Sequence, residues 1–262
     1  MPLFITSLNS GSNGNCYYIG NQHEAILVDA GISCREIEKR MSRLGLSITS
    51  VRAVFVSHEH GDHITGIPQL SKKHRVPVYI TKDTHREAAI PIEEELIRTF
   101  QDNVPVSIGD LTILPFLKNH DACDPHSFVV TGNGVTVGIF TDIGVSCSAL
   151  KKHFGSCHAA FLESNYCEQM LEKGNYPFHL KRRISGGKGH LSNRQAFDLF
   201  VKHRSDALRH LVLSHLSKNN NHPDIVEALF RESAGTTRIT VASRYHEMPV
   251  LTVTASLQLS IF

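Results

Sequence analysis

Apolar residues in this chain come in short runs, each closed by a turn residue or a polar one, which is the spacing of strands rather than of long helices. PLFITSL, CYYIG and EAILVDA open the series, with SGSNGN as the turn between the first two. From Ser33 to Leu44 the period changes: Ile37, Met41 and Leu44 share one helical face, and Ser33 is placed to cap it. VRAVFVS is the next predicted strand, followed by a short helix near residues 66–74, the strand PVYI, a helix from about Thr84 and a strand at LTILPFL. FVVTGNGVTVGIFTD carries the tight GNG turn of a hairpin. Beyond it AAFLES, a helix from Asn193 to about Arg204, LRHLVLSH, a helix from Pro223, RITVAS and VLTVTASL alternate strand with helix. Hairpins followed by alternation predict an α/β fold in which two mixed sheets are covered by helices.

With 262 residues, 41% of them hydrophobic, the chain can bury a substantial core. No Pro/Ser-rich linker or solenoid-length repeat divides it, so a single domain over residues 1–262 is expected. The net charge of +2, with histidines neutral, is not the broad basic excess of a general nucleic-acid binder, and any such binding must be local. MPLFITSLNSGSNG has neither the basic leader nor the apolar core of a signal peptide, and no run approaches the ~20 residues of a membrane span. A cytoplasmic location without a membrane partner is the expectation. The six cysteines form no CxxC pair, which fits reduced thiols. Nothing in the sequence bears on oligomeric state.

Directly after the apolar run AVFV stands SHEHGDH, with three histidines and two carboxylates. A zincin helix would need histidine four residues after His58, where Asp62 stands, and Gly61 after a strand disfavours a helix. On a loop, His58 and His60, then Asp62 and His63, can diverge toward two neighbouring metal ions. Scattered surface histidines are the bland reading, and the density of donors at one strand end argues against it. Glu59, between two ligand candidates, points the other way. Three further donors also end apolar strands: His120 after LTILPFL, Asp142 at the end of VTVGIFTD and His215 at the end of LRHLVLSH. One edge of a sheet scaffold would present them to a common site.

These residues resemble the HxHxDH signature of the metallo-β-lactamase superfamily, here His58, His60, Asp62 and His63. SLNSGSNGNCYYI, HDACDP, FTDIG, FLESNY, GHLSN and LSHLS resemble the YycJ/WalJ-type branch of that family. The resemblance implies a four-layer αββα sandwich. It further implies one metal held by His58, His60 and His120, a second by Asp62, His63 and His215, and Asp142 bridging them. For the branch it implies a metal-dependent phosphodiesterase, with 5′ to 3′ exonuclease action on double-stranded DNA. Two divalent ions per chain are therefore expected, and His and Asp donors without thiolate suit Zn, Mn or Fe.

Such a pair of ions suits an in-line phosphoryl displacement by a hydroxide held between them, with Asp62 orienting the attacking water. The leaving oxygen then needs a proton. His190 in KGHLSN resembles the non-ligand histidine of tRNase Z enzymes, and imidazole as a class titrates near neutral pH. Lys181, Arg182, Arg183 and Lys188 stand beside it as phosphate contacts, or else as a solvated helix face. Ser10, Ser12 and Asn13 in SGSNGN either form a plain strand-connecting turn or cradle a phosphate. A nucleic-acid partner, with DNA expected, is thus the leading reading. The same metal site could instead serve a small thioester, lactone or cyclic phosphodiester. A non-catalytic module that kept the fold would be free to lose ligands, and here none is missing.

Overall fold

The computed structural model of the chain describes residues 1–255. Its first half runs β1 (Leu3–Asn9), β2 (Cys16–Gly20), β3 (Ala25–Val28), α1 (Cys34–Arg43), β4 (Val51–Phe55), α2 (Gly61–Ile64), α3 (Ile67–His74), β5 (Val78–Tyr79), α4 (Lys82–Ala88) and β6 (Ile97–Arg98). The second continues with β7 (Val106–Ile108), β8 (Leu111–Leu117), β9 (His126–Gly132), β10 (Val135–Phe140), α5 (Ser148–Phe154), β11 (Ala159–Glu163), α6 (Glu168–Lys173), α7 (Phe178–Ser185), α8 (Asn193–His203), β12 (His210–Ser214), α9 (Pro223–Arg231), β13 (Arg238–Val241) and β14 (Leu251–Val253). Ser33 caps α1 as expected, its side chain accepting from the Glu36 amide. In the GNG hairpin Asn133 and Gly134 both take positive φ, as a two-residue turn between twisted strands requires. The tail of VLTVTASL, residues 256–257, lies outside the described residues.

The strands form two seven-stranded mixed sheets, ordered β14-β1-β2-β3-β4-β5-β6 and β13-β12-β11-β10-β9-β8-β7. Each has an antiparallel half and a parallel half: β14 through β3 and β7 through β10 pair antiparallel, β3 through β6 and β10 through β13 parallel. Strand alternation sorts the core. Ile26 and Val28 of β3 and Ala159 and Phe161 of β11 face a central core between the sheets. Their neighbours Ala25 and Leu27 face a layer with Ile37, Met41 and Leu70 of α1 and α3, while Ala160 and Leu162 face Leu150, Phe200 and Phe230 of α5, α8 and α9. Apolar residues on both strand faces explain why these segments read as continuous hydrophobic runs. Three apolar layers separating helix, sheet, sheet and helix make the predicted αββα sandwich. The parallel strands β3, β4, β11 and β12 and the hairpin strand β10 all deliver their last residues to one edge, where the chemistry collects.

Candidate metal centre

The loop reading of SHEHGDH holds for His58 to His60, after which Gly61–Ile64 make the single turn α2 with His60 as its N-cap. That turn brings Asp62 and His63 within reach of His215 while the His63 ring stays 4.0 Å from that of His58, so one short segment serves two adjoining clusters. The segment is clamped from below by Ala30 N–H donating to His63 O (2.8 Å), Asn15 N–H to Asp62 O (2.7 Å) and Gly66 N–H to Ala30 O (2.7 Å). Gly31 makes this approach possible, since a Cβ there would stand 1.7 Å from Asp62 O. Three site residues hold left-handed backbone without being glycine: Asp29 (φ 60°), Asp142 (φ 57°) and His215 (φ 58°). Each sits just past a strand, where the reversed twist breaks the strand and turns the side chain into the cleft at a cost of about 1 kcal/mol or more.

Two donor groups result. His58 Nε2 lies 3.0 Å from His60 Nδ1, and His120 completes the first, its ring 4.8 Å from that of His58 and 5.2 Å from that of His60. Asp62, His63 and His215 form the second, with Asp62 Oδ2 3.6 Å from both His63 Nε2 and His215 Nε2. Asp142 stands between, with Oδ2 3.4 Å from His63 Nε2 and Oδ1 3.6 Å from His215 Nε2 and 3.9 Å from His120 Nε2. The outward nitrogens are fixed: His63 Nδ1 meets Asp29 at 2.7 Å, His215 Nδ1 meets Glu163 at 2.9 Å and His120 Nδ1 donates to Gly189 O at 3.1 Å. Buried His120 Nε2, His215 Nε2 and Asp142 Oδ2 have no hydrogen-bond partner. Orphaned inward ligand atoms, with the imidazoles backed by two carboxylates and a backbone carbonyl, fit divalent ions, and the all-His/Asp set suits a borderline or hard cation.

The charges agree with that fit. Burial, with neighbouring His63 and Lys118, pushes the His58 imidazole well below its usual range, and burial brings His120 down to about 4, so both are neutral donors. Burial would also discharge His63, but Asp142, Asp29 and Asp62 outweigh it and raise this imidazole to about 10. For His215, Asp142, Asp62 and Glu163 likewise outweigh burial and raise it. Burial would raise the Asp142 carboxyl, yet His215, His63 and Lys118 hold it well below the carboxylate range. The acidic surroundings that raise these two imidazoles would equally favour a cation held among them.

His190 stands at the rim, its ring 5.3 Å from His120 and 5.2 Å from His215, with Nδ1 2.8 Å from Glu163 Oε1. Glu163 therefore orients two imidazoles at once; burial raises its carboxyl, but His190 and His215 outweigh this and bring it to about 2. Ser10 is buried, its hydroxyl bonded to Tyr17 (2.8 Å) and accepting from His215 N–H (2.8 Å), which places it as a support of that histidine. Ser12 and Asn13 are exposed, and Asn13 Nδ2 donates to Arg244 O. Lys181 and Arg183 are engaged by Glu172 O and Asp121, whereas Arg182 and Lys188 are exposed. Glu59 turns out of the cluster and accepts from Cys123 N–H. Asp29, Glu163 and buried Lys118 join the site without belonging to the signature, although the first two end apolar strands just as Asp142 does. Asp29→Asn is expected to weaken metal retention about 10- to 100-fold by loosening His63, a loss that competition with a chromogenic chelator would measure.

A seven-over-seven sandwich with His/Asp donor clusters at one edge defines a class. The chain matches the model of the beta-lactamase superfamily domain over residues 24–216 and belongs to the metallo-β-lactamase superfamily, as a hydrolase of that fold. Its curated relatives include the exodeoxyribonuclease YycJ of Bacillus anthracis, 33% identical over 86% of each chain. The exodeoxyribonuclease WalJ of Streptococcus pneumoniae (strain D39) is 27% identical over 82% of this chain and 81% of its own. Among solved structures, the metallo-beta-lactamase fold protein YhfI of Bacillus subtilis superposes with a TM-score of 0.74 at 16% identity, covering 95% of this chain and 99% of its own. Among the described residues no helix is long and apolar enough to cross a membrane.

Proposed function

We propose that this chain is a two-metal phosphodiesterase acting on nucleic acid, and specifically a 5′ to 3′ exonuclease on duplex DNA. The observation that carries the reading is the pairing of a double donor cluster bridged by Asp142 with an imidazole, His190, that is oriented by Glu163 yet stands at the rim. Similarity to two exodeoxyribonucleases supports the choice of substrate. His58, His60 and His120 would hold one ion, and Asp62, His63 and His215 the other, with Asp142 facing both. Two divalent ions there supply Lewis acidity for water activation and for the phosphate oxygens, and Zn, Mn or Fe would suit the donors.

The chain's own residues do the rest. Asp62, held at Oδ2 by Asn15 Nδ2 at 3.2 Å, directs the attacking water by accepting its hydrogen bond. Glu163 fixes the His190 ring through Nδ1, so Nε2 is the nitrogen that gives a proton to the leaving oxygen. The rival reading, a hydrolase of a small thioester, lactone or cyclic phosphodiester, uses the same centre without an extended anion. Salt separates the two. A nuclease that contacts several phosphates should lose DNA affinity steeply, with a log–log slope of about −0.9 per contact, measured as KM against KCl. A flat profile alongside rapid turnover of a small neutral ester would favour the rival.

A further inference from the structure

Beside the metal centre lies a cavity of about 440 Å³ whose wall includes Ser10 and Leu216, the first bonded to the His215 amide and the second adjacent to it in the chain. Its floor is apolar, with Leu216, Val241 and Ala242, and its rim carries Lys218, Arg244 and His246 with no carboxylate among the lining residues. Arg244 is the anomaly. Its Nη1 is buried without a hydrogen-bond partner, and the guanidinium makes no ion pair among the described residues. A buried arginine nitrogen left without an acceptor costs free energy, and an anion is the acceptor that also answers its charge.

The backbone that carries Arg244 along the cavity wall is tied down at three successive carbonyls. Ser10 N–H donates to Ser243 O (3.1 Å), Asn13 Nδ2 to Arg244 O (2.8 Å) and Arg40 Nη2 to Tyr245 O (3.2 Å). The SGSNGN turn thus serves as the mount for this strap. Arginine presents a planar fork that matches phosphate bidentately, and Lys218 adds a second, unpaired positive charge at the same rim. We propose that this cavity binds a phosphate of the nucleic-acid strand through Arg244 and Lys218, with the adjoining nucleoside on the apolar floor. The inference rests on the nucleic-acid reading above, and it assigns strand positioning to the side of the centre next to His215.

The test is direct binding of a 5′-phosphorylated duplex oligonucleotide, with phosphorothioates at its first linkages to slow cleavage, to metal-loaded parent, Arg244→Ala, Arg244→Lys and Lys218→Ala proteins across a salt series. Arg244→Ala should bind about 10- to 100-fold more weakly and flatten the salt slope by about 0.9. Arg244→Lys should weaken binding while keeping the slope, because charge remains and the fork is lost. If Arg244→Ala cannot be obtained folded, the flattening is read from Lys218→Ala. Repeating the series with a 5′-hydroxyl duplex shows which phosphate is held: the terminal one if the parent now binds like Arg244→Ala, an internal one if the difference persists. Unchanged affinity and slope in the arginine and lysine variants would overturn the proposal, even if the parent degrades DNA. Phosphate-dependent binding lost in Arg244→Ala by a parent that cleaves no DNA would leave the pocket standing and remove the nuclease reading.

Discussion

Asp142→Asn is expected to lower phosphodiester turnover by about three orders of magnitude, with bound metal falling below two ions per chain. The carboxylate faces both donor groups, lying 3.4 Å from His63 Nε2 in one and 3.9 Å from His120 Nε2 in the other, so one change removes the charge that joins them. Metal stabilisation of the transition state amounts to several kcal/mol, and each 1.36 kcal/mol is tenfold in rate. Asparagine is the informative replacement because Asp142 holds φ 57°, a left-handed conformation that asparagine adopts at less cost than alanine. A loss in Asp142→Asn therefore reports the missing charge rather than a distorted turn. Metal content by mass spectrometry and steady-state kinetics on the same sample would check it. Two retained ions with near-parent turnover would rule out the bridging role.

His190→Ala should reduce kcat on DNA by about 10²- to 10⁴-fold while leaving both metals bound. The retention follows from its placement: Nδ1 is committed to Glu163, and His58, His60, His120, His63 and His215 supply the nitrogens of the two donor groups around Asp142. A merely structural role would slow all substrates alike. Proton donation to the leaving oxygen predicts a selective effect, in which a phosphodiester with a nitrophenolate leaving group, needing no proton, is slowed far less than DNA. Equal losses on both substrates, or loss of a metal, would move His190 from proton donor to structural support or ligand.

Much of this centre is legible along the chain because each of its parts ends an apolar run. VRAVFVS before His58, VTVGIF before Asp142 and LRHLVLS before His215 mark strands buried on both faces, and a polar donor at such a terminus has only the sheet edge to occupy. Asp29 and Glu163 carry the same signal, at the ends of EAILVD and AAFLE. Their role is not legible along the chain, because a strand end tells that a residue is at the edge, but not that it stands behind an imidazole. The turn α2 was hidden by Gly61, whose low helix propensity is overridden by the clamp from Ala30 and Asn15. The short helices α5, α6 and α7 have too few turns to show a clear period along the chain. Arg244 had no local signature at all, since its setting depends on bonds from Ser10 and Asn13, more than two hundred positions away in the chain.

The last segments gain a purpose from this geometry. β14 pairs antiparallel with β1, so the C-terminal strand completes the first sheet, and the stretch between β13 and β14 forms a wall of the Arg244 cavity. The antiparallel half of the first sheet is therefore closed by residues that carry no recognisable motif. It follows that support for Ser10 and His215 comes partly from the far end of the sequence.

The most direct test of the central claim is release of nucleotides from end-labelled duplex DNA by the metal-loaded protein, followed over time beside the same protein stripped with a chelator. The two-metal exonuclease predicts mononucleotides from the 5′ end, absent after stripping and restored by added Zn, Mn or Fe. A protein that binds two ions yet leaves duplex DNA, single strands and RNA intact, while hydrolysing a small ester, would contradict it.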